Sequence, residues 1–324
     1  AAIYCSHFYH LLFRAKNVWL LYNTDNEGID AGEKSRFITQ LEIEKQPKHK
    51  IISTIYNAVL PEKAYEPVTI PKTDKILTRL HEIATDKGFS PSSLTNYIRN
   101  PLQFYMQRIL RINEADEVEE NIAVNTLGTI IHNALEELYT PYLNQFLALH
   151  HIEAMESKID EVILKHFKEI YKEGEITKGK NLLAFEVAKR NVYNFLQLEK
   201  KDIEEGQAIK VVLLEASLFC EIEVKSLPFP IKIAGKVDRI EERNGAIRII
   251  DYKTGKVLGN SLKINDFTDL TSDIKNEKII QLLCYALMFE NHELKQNREV
   301  SAGIISFKNM KNGFLPFGLG KGKD

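Results

Sequence analysis

The residues best suited to chemistry lie in one segment, GKVDRIEERNGAIRIIDYKTGK at 235–256. Asp238 precedes the Asn-Gly pair at 244–245, which predicts a tight hairpin between two strands, and Asp251 and Lys253 follow that pair. Because side chains alternate along a strand, Asp251 and Lys253 point to the same face. Asp238 ends the first strand of the hairpin, near the same end. Two carboxylates beside a lysine favour a site for Mg²⁺ or Mn²⁺, where the ammonium orients water or stabilises charge on phosphate.

A second interpretation of this segment is a surface hairpin with Asp–Lys ion pairs, which contribute little to stability. Against it, Asp251 follows an apolar run that contains Ile247, Ile249 and Ile250. Carboxylates are rarely placed beside such a run without a partner. The residue pattern alone leaves both interpretations open.

The periodicity of apolar residues predicts the elements that position this hairpin. A hydroxyl cap before proline predicts a helix from Ser90-Pro91, and Asn100-Pro101 predicts a second. Further helices are predicted at 124–139, within 151–171, within 180–204 and at 278–290, and strands at 209–224, 231–241, 246–252 and 300–307. This order predicts an α/β fold class, an α+β mixed sheet flanked by helices, with a helical insertion.

The beginning of the chain predicts a separate region. We expect a short helix, a strand at Asn17–Tyr22 and a second helix after Gly32, followed by a strand-like run at 50–60. Three prolines at 61–73 forbid a regular element there. The predicted domains are therefore 1–60, a linker at 61–87, and 88–324. Since the sequence begins AAIYCSHFYH, without an initiator Met, we expect a fragment of a longer protein.

Composition excludes several classes of protein. Hydrophobic residues make up 44% and charged residues 27% of the chain, which is typical of globular domains and not of collagen, coiled coils or disordered chains. No run reaches the roughly 18 apolar residues of a membrane span.

The separated Cys5, Cys220 and Cys284 predict neither a disulfide framework nor a cysteine metal site, and we expect a cytoplasmic protein. The net charge is −2, but 225–263 holds nine basic against four acidic residues.

Three motifs in order, VDRI, IIDYKTG and QLLCY, resemble the PD-(D/E)XK nuclease superfamily, most closely its RecB/AddB-like exonuclease domains from bacterial recombination helicase–nucleases. FSPSSLTNYIRNPLQFYMQRIL is similar to the opening helices of that branch, and LGTIIHNALEELY to its Gly–His helix. The matches extend from about 88 to 307. The resemblance implies a restriction-endonuclease-like core with a helical insertion.

The resemblance also implies roles for individual residues. Asp238 and Asp251 would hold Mg²⁺ or Mn²⁺, together with the backbone carbonyl of Tyr252. Lys253 would be the catalytic lysine of the DxK pair. His132 would be the additional metal ligand that the preceding helix contributes. By itself, a histidine on an amphipathic helix is more often a core residue.

Three further positions match the family more loosely. Gln281 and Tyr285, four residues apart on one helix face, match the QxxxY motif that helps position the lysine and the DNA strand. Glu215 lies where the family often carries an acidic residue. Each has a structural alternative: Tyr285 in the core, Gln281 in solvent, and Glu215 facing water from its strand.

The sequence departs from the family at two points. Val237 stands where the superfamily name expects proline. Asn100-Pro101 replaces the Cys-Pro of many AddB-like relatives, and the C-terminal part carries no cysteine cluster. We therefore expect no iron–sulfur cluster.

Residues 1–45 carry a second resemblance. HFYHLLFRAKNVWLLYN followed by EKSRFITQL resembles the end of a UvrD-like helicase core, in which Arg14 would reach nucleotide phosphates. No GxxxxGK[ST] loop is present in this sequence, so we interpret 1–60 as a helicase-like C-terminal remnant. The alternative is an ordinary helix–strand–helix that packs on the nuclease core.

Together these observations predict a Mg²⁺- or Mn²⁺-dependent deoxyribonuclease, which we expect to be an exonuclease, acting in DNA repair or recombination. Its expected partners are DNA and a helicase domain or subunit, upstream or in trans. One rival is a catalytically silent nuclease-fold module that binds DNA or scaffolds a helicase–nuclease complex. Another is a metal-free helical interaction domain. Polarity, strand preference, exo- or endonucleolytic cutting and the identity of the partner stay open.

Overall fold

The computed structural model describes residues 2–22, 34–55, 67–113, 122–171, 178–295 and 297–320. The chain divides into two compact units, Ala1–Thr69 and Ile70–Asp324. None of the described helices is both long and apolar enough to span a membrane.

The first unit contains two helices, α1 (Ala2–Leu12) and α2 (Arg36–Ile43). The Ser35 hydroxyl caps α2 by accepting a hydrogen bond from a backbone N–H of its first turn, which confirms the helix predicted after Gly32. The predicted strand at Asn17–Tyr22 is wrong, because the described part of this unit offers no second strand to bond with it. The strand-like run at 50–60 forms no strand over 50–55, and its remainder lies outside the described residues.

Helix α3 (Asp74–Glu82) opens the second unit and continues into a single π-helical turn, Ile83–Lys87. The side chains of Ile83 and Ala84 are buried. These residues belong to the segment 61–87 that was predicted as a linker, and within it an amphipathic helix follows the last of the three prolines, at 71.

The predicted helices of this unit form close to their expected limits. Ser90 caps the first of them and Asn100 the second, each with a proline next in the chain, as predicted. The predicted helix within 151–171 is two helices. The helices are α4 (Pro91–Arg99), α5 (Pro101–Phe104), α6 (Val124–Tyr139), α7 (Leu149–Glu156), α8 (Ile159–Ile170), α9 (Gly179–Glu204) and α10 (Glu277–Phe289).

A five-stranded mixed sheet forms the centre of the unit, in the order β1-β2-β3-β5-β6. Only the β3–β5 pair is parallel within it, and α10 lies in the connection between these two strands. The strands are β1 (Ile209–Ile222), β2 (Ile231–Arg243), β3 (Ala246–Lys253), β5 (Val300–Ser306) and β6 (Phe314–Pro316), while β4 (Lys263–Ile264) and β7 (Gly318–Leu319) pair separately. Strands β4, β6 and β7 were not predicted from the sequence, because they are too short to show an alternating pattern.

The hairpin between β2 and β3 turns at Asn244 and Gly245, whose φ angles of 52° and 87° fit the left-handed turn predicted from this pair. Arg243 pairs with Ala246 across it. The turn therefore fixes the register of the two strands that carry the predicted site.

Helices cover both faces of the sheet. The core that contains Ile250 and Tyr252 of β3 packs against α6, α8 and α9, whereas Ile249 belongs to the core beneath α10. Burial on both faces explains the continuous apolar run before Asp251. The predicted fold class, a mixed α/β sheet flanked by helices, is confirmed.

Candidate metal centre

Three side chains from three elements converge where β1 and β2 face α6. The His132 Nδ1 atom of α6 lies 3.6 Å from Glu215 Oε1 of β1 and 3.6 Å from Asp238 Oδ1 of β2. One donor atom from each residue lies within 4.8 Å of the other two, and all three side chains are partly buried. An imidazole nitrogen and two carboxylate oxygens at this spacing are a donor set that fits a divalent cation.

The strands are irregular where the two carboxylates meet. Glu215 has a φ of 45°, in the left-handed region that residues other than glycine rarely adopt. The pairs Leu214–Arg239 and Ala216–Val237 flank Glu215 and Asp238 in the β1–β2 ladder. Asp238 contacts α6 and the next residue, Arg239, contacts α9, so two consecutive side chains face the same helical layer. This break in the alternation aims both carboxylates at His132.

Asp238 does not end its strand, as the sequence analysis expected, because β2 runs from Ile231 to Arg243. The β2–β3 pairing begins at Arg239 and Ile250, so Asp238 lies immediately beyond that ladder. The Tyr252 N–H donates a 2.7 Å hydrogen bond to Asp238 Oδ2. The expected proximity of Asp238 to the end of β3 therefore holds for this geometric reason.

Asp251 and Lys253 form the second part of the site. Lys253 Nζ lies 2.8 Å from Asp251 Oδ2, so the ammonium is the charge partner of this buried oxygen. The Asp251 side chain is 2% exposed and that of Lys253 31%. Asp251 is not one of the three clustered donors. Its carboxylate is nevertheless close enough to Asp238 and His132 for their charges to act on it.

The electrostatics of the site favour a bound cation. Burial raises the pKa of Asp251 to about 6, and Asp238 adds to the rise while Lys253 opposes it. Burial lowers the pKa of His132, but the neighbouring carboxylates of Asp238 and Glu215 outweigh it and raise that pKa to about 10. Both shifts have one cause, the crowding of carboxylates around His132 and Asp251.

Lys236 is a member of this site that the sequence analysis missed. Its Nζ lies 2.9 Å from Glu215 Oε2. Burial raises the pKa of Glu215, but the hydrogen bonds from His132 and Lys236 lower it overall. The alternation argument used for Asp251 and Lys253 could have found Lys236, which stands two residues before Asp238 on the same strand.

Gln281 and Tyr285 lie on one face of α10, as their spacing predicted. The Gln281 amide donates a 2.7 Å hydrogen bond to the Tyr285 hydroxyl. Burial raises the pKa of Tyr285, and the charges of Asp251 and Asp238 raise it further. The pair therefore lies within electrostatic reach of the two carboxylates, with Tyr285 buried and Gln281 partly exposed.

A buried polar network lies behind the site, and the sequence analysis missed it. Arg239 is fully buried, and its Nη2 atom lies 2.6 Å from Glu199 Oε1 of α9 and 2.5 Å from Glu241 Oε2. Arg239 Nη1 also reaches the Tyr252 hydroxyl at 3.4 Å. The Tyr252 ring stands edge-on to the His132 ring, with 5.6 Å between their centroids. Tyr252 therefore contacts both the network and the donors.

Comparison with known proteins places this geometry in context. A family model described as the PD-(D/E)XK nuclease superfamily matches residues 88–318, more than two thirds of the chain. The match contains every residue of the candidate site.

Among curated proteins, the chain is similar to uncharacterised proteins of Rickettsia. One from Rickettsia conorii is 24% identical over 199 residues, 59% of this chain and 22% of that protein. One from Rickettsia felis is 25% identical over 186 residues, 55% of this chain and 20% of that protein. The chain spans about a fifth of the length of these relatives. The solved structure of SSO0001 overlaps 71% of this chain and 79% of its own at 15% identity, but with a TM-score of 0.19.

Proposed function

Because the chain belongs to the PD-(D/E)XK nuclease superfamily, we propose that it is a metal-dependent deoxyribonuclease that hydrolyses phosphodiester bonds. The observation that supports this most directly is the convergence of His132, Glu215 and Asp238 beside the Asp251–Lys253 pair. These are the residue types that metal-assisted phosphodiester hydrolysis requires, a set of hard donors and an adjacent ammonium.

We assign the metal donors to His132, Glu215 and Asp238, with Asp251 as the fourth side chain of the site and its third carboxylate. The predicted carbonyl of Tyr252 would complete the set. When bound, Mg²⁺ or Mn²⁺ supplies Lewis acidity toward the phosphate and lowers the pKa of water.

Side chains and backbone groups of the protein position the reacting groups in this proposal. Lys253 presents its ammonium at the edge of the site, where it can orient the attacking water or stabilise charge that develops on phosphate oxygens. The Tyr252 N–H holds Asp238 in place. Gln281 and Tyr285 position the lysine and the DNA strand in this proposal.

The finer assignments extend the same proposal. We propose a RecB/AddB-like exonuclease of DNA repair or recombination that works in the cytoplasm with a helicase domain or subunit. Residues 1–60 would be a helicase-like C-terminal remnant, in which the exposed Arg14 would be the motif arginine. Since the chain spans about a fifth of its curated relatives, a helicase region has room within a longer protein.

A cleavage assay tests the nuclease proposal. The purified chain is incubated with end-labelled single- and double-stranded linear DNA in Mn²⁺ or Mg²⁺, beside an EDTA control. We expect metal-dependent cleavage that falls by about 10²- to 10³-fold in Lys253→Ala, the usual effect of removing one group that stabilises developing charge. Lys201→Ala, an exposed lysine of α9, serves as the matched control and should cleave like the wild type.

Two outcomes would contradict the proposal. Wild type and Lys253→Ala that are equally inert but still bind DNA would support a catalytically silent DNA-binding module. Cleavage that survives EDTA would exclude the metal centre as its source. Where cleavage occurs, the position of the retained label gives the polarity and separates exonuclease from endonuclease.

A further inference from the structure

The β1–β2 hairpin extends past the candidate metal centre, and one of its faces is open to solvent there. Along β1, Leu218 and Cys220 are buried against the α10 side of the sheet. Ser217, Phe219 and Glu221, which alternate with them, are exposed. The helices that cover this face near His132 therefore leave the outer part of the hairpin uncovered.

Phe219 is the aromatic residue of this open face, and its side chain is 62% exposed. The Lys232 ammonium lies 4.8 Å from the ring centroid, and Lys232 Nζ also donates a 3.0 Å hydrogen bond to the Asp86 carbonyl. The residue opposite Phe219 on β2 is Ala234, which has a small side chain. An exposed aromatic ring beside a lysine is the combination that single-strand binding proteins use to stack bases and contact phosphates.

The open face continues directly into the metal centre. Ser217 pairs with Lys236 between Phe219 and the cluster, and Lys236 Nζ is in contact with Glu215. Because Phe219 is four residues beyond Glu215 on the same strand, the two positions are separated by about 13 Å at the usual strand rise. A chain lying along this face would meet the aromatic ring, then the Lys236 ammonium, then the metal donors.

We propose that this face binds a single strand of DNA, with an unpaired base stacked on Phe219 and Lys232 and Lys236 beside the backbone phosphates. A base inside a duplex is already stacked on both sides, so a flat exposed ring favours an unpaired strand. The two lysines supply charge complementary to phosphate, and Glu221 is the one acidic side chain among the exposed positions of β1 just described. This inference rests on the proposed nuclease function and extends it to the path of the substrate.

The test uses the full chain carrying Lys253→Ala, in Mn²⁺, with single-stranded oligonucleotides that carry the fluorescent base 2-aminopurine at successive positions. We expect stacking on Phe219 to change the fluorescence at a restricted set of positions. Adding Phe219→Ala should abolish this change and weaken single-strand binding by about 5- to 150-fold, the effect of losing one stacked base. Phe219→Trp should retain both the change and the affinity.

Phe146 provides a matched control on the same sheet. It is 56% exposed and the Lys210 ammonium lies 5.1 Å from its ring, but it contacts the opposite end of β1. Phe146→Ala should leave single-strand affinity and the fluorescence change unaltered. Blunt duplex DNA should bind Phe219→Ala and the parent with similar affinity.

The outcomes distinguish this inference from the proposed function. If Phe219→Ala binds single strands as tightly as Phe146→Ala, the base-stacking role is wrong, while the nuclease proposal stands. If Phe219→Ala weakens duplex and single-strand binding equally, the preference for an unpaired strand is wrong. If no variant, nor the wild type, binds DNA of either form, the proposed function itself fails.

Discussion

Glu215 combines a backbone conformation that is unfavourable for its residue type with a place among the metal donors. Its φ of 45° costs an L-residue about 1–2 kcal/mol. In return, the irregular strand turns the carboxylate toward His132 instead of leaving it in the regular alternation. Unusual backbone conformations of this kind are concentrated at functional sites, which supports the assignment of Glu215 to the metal centre.

The backbone of Glu215 yields a stability prediction that is independent of catalysis. Both Glu215→Gly and Glu215→Ala remove the carboxylate, so their difference reports the backbone alone. We expect Glu215→Gly to be the more stable by about 1 kcal/mol, because glycine adopts positive φ without a Cβ clash. At the exposed Ser217 of the regular strand, the order should reverse, with Ser217→Ala more stable than Ser217→Gly.

Urea denaturation in EDTA measures the four free energies of unfolding. The same order at both positions would mean that Glu215 is not held in the left-handed region. Melting in Mn²⁺ then tests the ligand role: Mn²⁺ should raise the melting temperature of the wild type and of both Ser217 variants, but much less that of either Glu215 variant. An undiminished rise in the Glu215 variants would remove Glu215 from the donor set.

At the scale of single residues, the sequence predicted which of the proposed site residues lie near one another better than how they are arranged. The Asn244-Gly245 turn is a strong local signal, so the register that brings Asp238 near Asp251 followed from it. Glu215 was the least supported candidate, because no local sequence pattern identifies a glutamate with positive φ. Its assignment depends on contacts with α6, which precedes it by some eighty residues in the chain.

Helix α9 is joined to the sheet by charges that are removed from solvent. Glu199 is 1% exposed and Arg239 fully buried, and the Tyr139 hydroxyl also donates to Glu199. The Arg239 guanidinium stacks near the Tyr139 ring, 4.8 Å from its centroid. Because Tyr252 contacts both Arg239 and His132, this arrangement ties the position of α9 to the candidate metal centre.

Removing one partner from this buried network should be costly. We expect Glu199→Ala to lower the free energy of unfolding by about 3–5 kcal/mol, because it leaves part of the Arg239 charge buried and uncompensated. Glu204→Ala, an exposed position at the end of the same helix, should change it by no more than about 0.5 kcal/mol. Urea denaturation of the two variants provides the comparison. Equal losses of unfolding free energy would show that the buried Glu199 contributes no more to stability than an exposed glutamate.

Elements with a long apolar periodicity formed as predicted. Predictions were wrong where the structure depends on contacts between residues that are distant in the sequence. The helices at 124–139 and 278–290 carry apolar faces several turns long, and both form. The apolar run at 17–22 lacks a partner strand in the described part of its unit and stays irregular. In β2, the charges of Arg239, Glu241 and Arg243 resemble a solvent-facing stripe, but all three are buried. Acidic residues of α9 pair with the two arginines, and the arginines pair with Glu241; the local sequence does not show these contacts with α9.

At the scale of the whole molecule, every candidate metal donor belongs to the second unit, Ile70–Asp324. The family model begins at 88, as did the nuclease domain predicted from the sequence. The structure begins the unit earlier. Lys232 Nζ bonds to the Asp86 carbonyl, and Gly88, with a φ of 82°, packs where a Cβ would lie 2.9 Å from Ala234 Cβ. Residues 70–87 are thus tied to β2, the strand that carries Asp238.

Two truncations separate these boundaries. We expect residues 70–324 to retain the free energy of unfolding of the second unit and the Mn²⁺-induced rise in melting temperature, since the donors and their supports are all present. Residues 88–324 should be destabilised, because removing the buried Ile83 side chain alone forfeits about 1.5–3 kcal/mol of apolar burial. In the full chain, Ile83→Ala should cost about 2–5 kcal/mol, whereas Leu77→Ala, at an exposed position of α3, should cost far less. Equal stability of the two truncations would show that the domain begins at 88 and that the metal centre does not need α3.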